Sequence, residues 1–221
     1  YRRQRQMCIR DRYIIIVIAI VLFDFFFFNF VVKPIQVSGP SMNPNLHDKE
    51  KVWAFKSSQI KRGSVIVFYA KGTDPQQKDN LVYVKRVIGL PGDKVESKNG
   101  KLYVNDKLVN QSYISPDQRD TGTGNWSSFS ELSSKKDATW KANDKKNLDH
   151  VPQKSYFVLG DNRKVSNDSR YFGYVPEGKI IGVVKSPWFF FNSHRYEINR
   201  YADNFFVSSK DNRNPNASDD N

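Results

Sequence analysis

From Tyr13 to Val32 the chain is apolar at almost every position. Ile14-Ile15-Ile16-Val17-Ile18-Ala19-Ile20-Val21-Leu22-Phe23 leads into Phe25 to Phe28 and then Phe30-Val31-Val32, broken only by Asp24 and Asn29. A helix needs about 20 such residues to cross the hydrocarbon core of a bilayer, so the run predicts one transmembrane helix over 13–32. Asp24 costs a few kcal/mol at the bilayer centre and less near an interface. The alternatives are a cleaved signal peptide and a buried core helix. A cleaved segment has a shorter apolar region and a small-residue cleavage site. Here Phe and Val run up to Lys33-Pro34 with no Ala-x-Ala, and the reading is an uncleaved anchor.

Beyond Ile35 the pattern changes to period two, and the predicted fold is mostly β over 33–200. Val65-Ile66-Val67-Phe68-Tyr69 reads as a short apolar strand introduced by Arg62-Gly63. Leu81 to Ile88 alternates, placing Leu81, Tyr83, Lys85 and Val87 on one face and Val82, Val84, Arg86 and Ile88 on the other. Lys94-Val95-Glu96, the turn pair Asn99-Gly100 and Leu102-Tyr103-Val104 predict a hairpin. Further strands are expected at Ser155 to Leu159 and at Ile180 to Val184. The stretch 115–150 is polar, with isolated Trp126, Phe129 and Trp140, and reads as an insertion capping the main sheet. Trp188-Phe189-Phe190-Phe191 fits either a membrane interface or core packing. Residues 201–221 are polar and predict a disordered tail.

The net charge is +12. No zinc-finger spacing, RNA-binding signature or basic helix accompanies it, so nucleic acid is not an expected partner. A basic face against anionic lipid is the favoured explanation, and a solvated basic surface is the alternative. Part of the charge lies in Tyr1 to Arg12, where Arg2, Arg3, Arg5, Arg10 and Arg12 face only Asp11. That stretch reads as a non-native leader and is set aside from the fold expectation. The single cysteine, Cys8, falls within it, so neither a disulfide framework nor a Cys/His metal site is expected. His47, His150 and His194 are scattered, without neighbours at ligand spacing.

Two residues carry the candidate chemistry. Ser41 sits in Ser38-Gly39-Pro40-Ser41-Met42-Asn43-Pro44, a few residues after the apolar run. A serine hydroxyl needs an adjacent base to become a nucleophile. No histidine lies in a suitable context. A lysine can serve only when neutral, which requires burial to pull its pKa down from about 10.4. Lys85, inside an apolar strand pattern beside Tyr83, Val84 and Val87, fits that demand. Taken singly, Ser41 is a turn serine between prolines and Lys85 an edge-strand lysine that snorkels. A third segment, Gly160-Asp161-Asn162-Arg163-Lys164-Val165-Ser166-Asn167-Asp168-Ser169-Arg170, changes that assessment.

The four ordered boxes, Gly39-Pro40-Ser41-Met42-x-Pro44, Arg62 to Phe68, Tyr83 to Asp93 and Gly160 to Arg170, resemble those of bacterial type I signal peptidases (leader peptidases) of the short, single-anchor Gram-positive kind. The resemblance spans about Val31 to Phe191. It implies a signal-peptidase-like β-barrel or sheet domain behind one N-terminal transmembrane helix. It further implies Ser41 as nucleophile, Lys85 as general base and Ser166 as a hydrogen-bonding partner that orients the lysine. Asp161, Arg86, Asp168 and Arg170 would form a charged network behind the site. The backbone N–H of Ser41 would donate to the oxyanion. Gram-negative members place a serine at the position of Gly39, so the Gly39 region leaves the second donor open. Met42, Tyr83 and Val84 are the expected substrate contacts, with core packing the alternative for Tyr83. The substrate would add as an extended strand beside Leu81 to Ile88. Met42 and the Trp188 to Phe191 cluster would dip into the membrane interface.

The implied reaction is removal of signal peptides from secreted pre-proteins, after small residues of the Ala-x-Ala type. No cofactor or metal is required. The expected partners are pre-proteins and membrane lipid, and the protein is expected to be a monomer. The domain would lie outside the plasma membrane and the N-terminus in the cytoplasm. The self-cleaving repressors of the SOS response also pair serine with lysine, but they carry a DNA-binding domain and no anchor. A membrane-tethered binding module or an inactive paralogue is the non-enzymatic alternative.

Overall fold

The structure, a computed structural model, describes residues 2–134, 149–186, 195–199 and 201–208. It opens with helix α1 (Arg2–Phe26) and a π-helical turn (Phe27–Val31). Strands β1 (Val32–Gln36), β2 (Lys51–Phe55), β3 (Val65–Tyr69) and β4 (Val82–Gly89) follow. A small meander comprises β5 (Val95–Lys98), β6 (Lys101–Val104) and β7 (Lys107–Leu108). Then come α2 (Phe129–Ser133), β8 (Ser155–Leu159), α3 (Ser169–Phe172), β9 (Val175–Pro176), β10 (Ile180–Lys185) and α4 (Arg195–Asn199).

The apolar run does not form one α-helix over 13–32. The α-helix ends at Phe26, the chain loosens into the π turn, and Val32 is already a buried strand residue paired with Phe55. At its other end α1 reaches back into the charged leader. Among the described residues no helix is long and apolar enough to cross a membrane.

The main sheet has seven strands in the order β1-β2-β10-β3-β4-β8-β9, and each neighbouring pair is antiparallel. Both of its faces are covered, which is why β3 reads as a continuous apolar run. Val65 and Val67 pack with Val37, Met42, Leu46 and Val84 on one side, and Ile66 and Phe68 with Val87, Val158 and Phe172 on the other. β4 registers on β3 with Lys85 opposite Ile66 and Arg86 opposite Val65. Because successive strand residues alternate between faces, Lys85 and Arg86 point to opposite sides of the sheet.

The second sheet, β5-β6-β7, packs through Val95, Leu102 and Val104 against Ile88, Phe157 and Leu159. Two expectations are corrected in this core. Trp126 and Phe129, expected in a capping insertion, are 2% and 0% exposed and sit at its centre. Tyr201 and Phe205, expected in a disordered tail, are also core residues, with Phe206 bridged to Val109. Aromatic side chains each bury a large apolar area, so a few of them anchor an otherwise polar stretch. Trp140 and Trp188 to Phe191 lie outside the described residues.

Candidate active site

The loop from β1 to β2 carries Ser41. It turns at Gly39, whose φ of +86° is the left-handed region that favours glycine. The Gly39 N–H donates to Asp48 Oδ1 at 2.7 Å. Asn162 grips the loop from the other side. Its backbone N–H donates to the Ser41 carbonyl at 3.0 Å, and its side-chain amide to the Pro40 carbonyl at 3.2 Å. Gly160 is required there, because a Cβ would overlap Ser166 Oγ and the Ser41 carbonyl oxygen.

Strand β4 brings Lys85 to this loop. Lys85 Nζ and Ser41 Oγ are 2.7 Å apart, within hydrogen-bond distance. Lys85 is only 3% exposed. Ile66 faces it across the strands, and the Tyr83 ring centroid lies 5.2 Å from Nζ. Burial pushes the amine down from 10.5 to about 8, against Asp168 and Asp161, which favour the charged form; Arg170 assists burial. Among the described residues no carboxylate lies within ion-pair distance of Nζ.

The acids near Lys85 are held by arginines. Arg86, fully buried, donates through Nε and Nη2 to both oxygens of Asp161 at 2.8 and 2.7 Å. Its remaining donor reaches the carbonyls of Gly63 and Glu197, and its guanidinium lies 4.3 Å from the Tyr113 ring centroid. Burial opposes the charge on Arg86, but Asp161 outweighs it and holds the guanidinium firmly protonated. Arg170 and Asp168 form the second bidentate pair, at 2.9 Å on both arms. Burial would raise the Asp168 carboxyl, yet Arg170 and the Gly160 N–H keep it below the usual range. Such forks satisfy both charges in place, leaving the amine outside either pair.

Three expected contacts take a different form. Ser166 is buried beside the site, but its hydroxyl has no hydrogen-bond partner among the described residues, so the bond to Lys85 is not made. The hydroxyl packs against Gly160 instead. Met42 is fully buried among Val37, Leu46, Val52 and Val84, because the turn after Ser41 directs it inward; it presents no surface to lipid or substrate. The Val84 side chain is buried in the same cluster, which leaves Tyr83 as the half-exposed member of the expected substrate contacts. For the oxyanion, the Gly39 N–H is already committed to Asp48, whereas the Ser41 N–H has no partner among the described residues.

β4 is not open along its whole length. Arg86, Val87 and Gly89 pair with β8, so among the described residues β4 is left without a partner on that side only beside Val82 to Lys85. The N–H and C=O of Val87 are taken by Ser64 and Gly63 on the β3 side. Backbone groups alternate sides along a strand, so those of Val82 and Val84 point to the open edge.

Some contributors carried no chemical signal of their own in the sequence. Asn45 donates to Asp161 Oδ2 and to the Tyr113 carbonyl, both at 2.8 Å, and so ties the Ser41 loop to the Arg86 pair. Arg163 donates to Gly160, Gln111, Thr123 and Tyr113. Position four residues after Ser41 was the available hint for Asn45. Arg163 stood inside the fourth box, undistinguished from its neighbours.

Comparison with known proteins decides the family. The model described as "Signal peptidase, peptidase S26" matches residues 9–189. The chain belongs to the signal peptidase family. Signal peptidase IB of Staphylococcus aureus is 40% identical over 178 residues, covering 77% of this chain and 84% of the relative. Signal peptidase I of Bacillus amyloliquefaciens is 35% identical over 185 residues, covering 81% and 88%. A crystal structure of signal peptidase I from Enterococcus faecalis aligns with a TM-score of 0.43 and 30% identity, over 57% of this chain and 97% of that one. The family match and the Staphylococcus and Bacillus relatives make the enzyme a serine protease of the signal peptidase I class.

Proposed function

We propose that this signal peptidase cleaves pre-proteins with a Ser41–Lys85 dyad at the surface of a membrane. The observation that carries the reading is the 2.7 Å approach of an almost fully buried lysine amine to a serine hydroxyl. Neutral, Lys85 accepts the Ser41 proton as Oγ attacks the scissile carbonyl. The resulting ammonium then returns a proton to the leaving amine, and water resolves the acyl-enzyme. The unpartnered Ser41 N–H supplies one oxyanion donor, a contact of the kind worth about 2.7–4 kcal/mol. Asp161, Arg86, Asp168 and Arg170 act from behind, by pairing with one another rather than with the amine. The substrate adds as a strand at the open edge beside Val82 and Val84, with Tyr83 walling a subsite that admits small residues of the Ala-x-Ala type.

Exposure supports the anchor. Large apolar side chains from Tyr13 to Phe26 stand 47–66% exposed on α1, with nothing among the described residues covering them. The α-helix and its π turn together, Tyr13 to Val31, span roughly 28 Å at 1.5 Å per residue, close to a bilayer core of about 30 Å. We assign this segment to lipid, the N-terminus to the cytoplasm and the sheet domain to the outer side.

The test is cleavage of a pre-protein by the full chain in detergent. Ser41→Ala and Lys85→Arg are each expected to abolish cleavage while a cooperative thermal melt is retained. The wild-type rate should rise with pH through a limb near 8, where Lys85 loses its proton. Cleavage surviving in either variant removes the dyad. For the anchor, the chain should stay in the membrane pellet after alkaline carbonate extraction, and release into the supernatant would reject that assignment.

A further inference from the structure

The loop between β3 and β4 is polar and largely exposed, yet it buries one carboxylate. Asp74 is 1% exposed. The turn that carries it is closed by the Ala70 carbonyl, which accepts from the N–H groups of Thr73 and Asp74. Its side chain accepts from the Gln76 N–H at 3.0 Å, the Tyr83 hydroxyl at 3.2 Å and the Asn167 amide at 2.7 Å. Among the described residues no lysine, arginine or histidine lies within ion-pair distance of it. Burying a carboxylate against neutral donors alone is expensive. What the carboxylate holds is therefore informative.

It holds both flanks of Lys85. Tyr83 precedes Lys85 by two residues on the same face, and its ring stands beside the amine. Phe68 and Phe172 support that ring, at centroid distances of 5.9 and 6.3 Å. Asn167 lies between Ser166 and Asp168, in the loop that closes over the site. One anionic acceptor therefore joins β4 to that loop across the base.

We propose that Asp74 is a positioning residue for the Ser41–Lys85 pair, clamping the Tyr83 ring and the Ser166 loop against the lysine amine and so keeping water from it. The proposal rests on the dyad reading above. Without the carboxylate, the Tyr83 hydroxyl keeps only its neutral neighbours Asn167 and Gln77, and the ring loosens toward water. The amine gains hydration, which favours its charged form. The other charged groups around Lys85 stay as they are: Asp168 and Asp161 favour the ammonium, and Arg170 opposes it. Asp74 and the π face of Tyr83 also favour the ammonium, and their loss acts the opposite way. Burial is the largest influence on Lys85, so loss of cover prevails and the base titrates at higher pH.

The test compares pH–rate profiles of the full chain in detergent for wild type, Asp74→Ala, Asp74→Asn and Tyr83→Phe, with thermal melts beside them. Asp74→Ala should move the rising limb up by about one pH unit, lowering the neutral-pH rate about tenfold and recovering it at alkaline pH. Asp74→Asn keeps an oxygen for the Tyr83 hydroxyl and should recover most of that loss. Tyr83→Phe should shift the limb in the same direction by a smaller amount. A uniform loss at every pH with the limb in place makes Asp74 a structural tie and overturns the proposal, as does an unchanged rate. Should Asp74→Ala not fold, Tyr83→Phe decides: an unmoved limb overturns the proposal and a raised one supports it. A wild-type profile with no limb, together with an active Lys85→Arg, would instead overturn the dyad.

Discussion

Replacing Lys85 with Met separates the burial of the amine from its chemistry. Met keeps an unbranched stem of similar length and carries no proton. Burial holds the Lys85 amine at about 8 instead of 10.5. Below pH 8 the amine is charged in both folded and unfolded chains, and the fold bears the whole cost of enclosing an ammonium, about 3 kcal/mol. Between those two values the folded chain is neutral there while the unfolded chain is still charged. The unfolded state then binds more protons, so stability rises with pH through that window. The Met chain lacks this dependence. The advantage of Lys85→Met should therefore be largest near about pH 6.5 and shrink by about 2 kcal/mol on going to about pH 9.5. Losing the contact with Ser41 adds an offset that is constant across this range, so the change with pH is the quantity to read. Urea unfolding of both proteins in detergent, followed by tryptophan fluorescence, measures it, with Trp126 reporting from the core. A difference that stays constant within about 0.5 kcal/mol, a typical extrapolation error, would refute the reasoning that Lys85 titrates low because it is enclosed.

Two further outcomes follow from the packing behind the site. Arg86→Ala leaves Asp161 buried without its partner and should destabilise the fold by about 3–5 kcal/mol, read as a fall in urea midpoint; a loss under about 1 kcal/mol would mean that water reaches the carboxylate. Gly160→Ala forces Ser166 and the Ser41 carbonyl apart, so cleavage should fall at least about tenfold through a misplaced nucleophile. Cleavage at the wild-type rate would show that the contact yields without moving Ser41.

The β elements near the site were legible because period two constrained them. A lysine among Tyr83, Val84 and Val87 has to lie on one face, and its register opposite Ile66 follows from where β3 begins. The polar stretches were harder to read, because composition averages over positions. Trp126, Phe129, Tyr201 and Phe205 are a small fraction of their segments, yet they fill the core between the two sheets. Met42 misled for a local reason. Adjacency to a nucleophile suggests exposure, whereas the turn after Ser41 sends the next side chain inward. The Ser166 hydroxyl and the Asp74 carboxylate depended on side-chain placement across segments distant in sequence, which no periodicity encodes. The apolar run was plain as composition, but its break at Phe26 depends on Val32 being drawn into pairing with Phe55.

The adjacency of Lys85 and Arg86 explains why a charged network and an amine that titrates low can share a site. In a strand, neighbours in sequence are on opposite faces. Lys85 therefore meets Ser41 on the side of Ile66, while Arg86 meets Asp161 on the side of Val65. A slip of one residue would exchange them, placing a permanent cation beside Ser41 and an amine in the core. The Arg86 side also serves the Lys85 side. Asp161 binds Asn45 as well as Arg86, and Asn45 belongs to the loop that carries Ser41. Asn162, the next residue after Asp161, donates to the carbonyl of Ser41 itself. The buried ion pair thus fixes the Ser41 loop from behind without forming an ion pair with the amine in front, and strand alternation makes that separation possible.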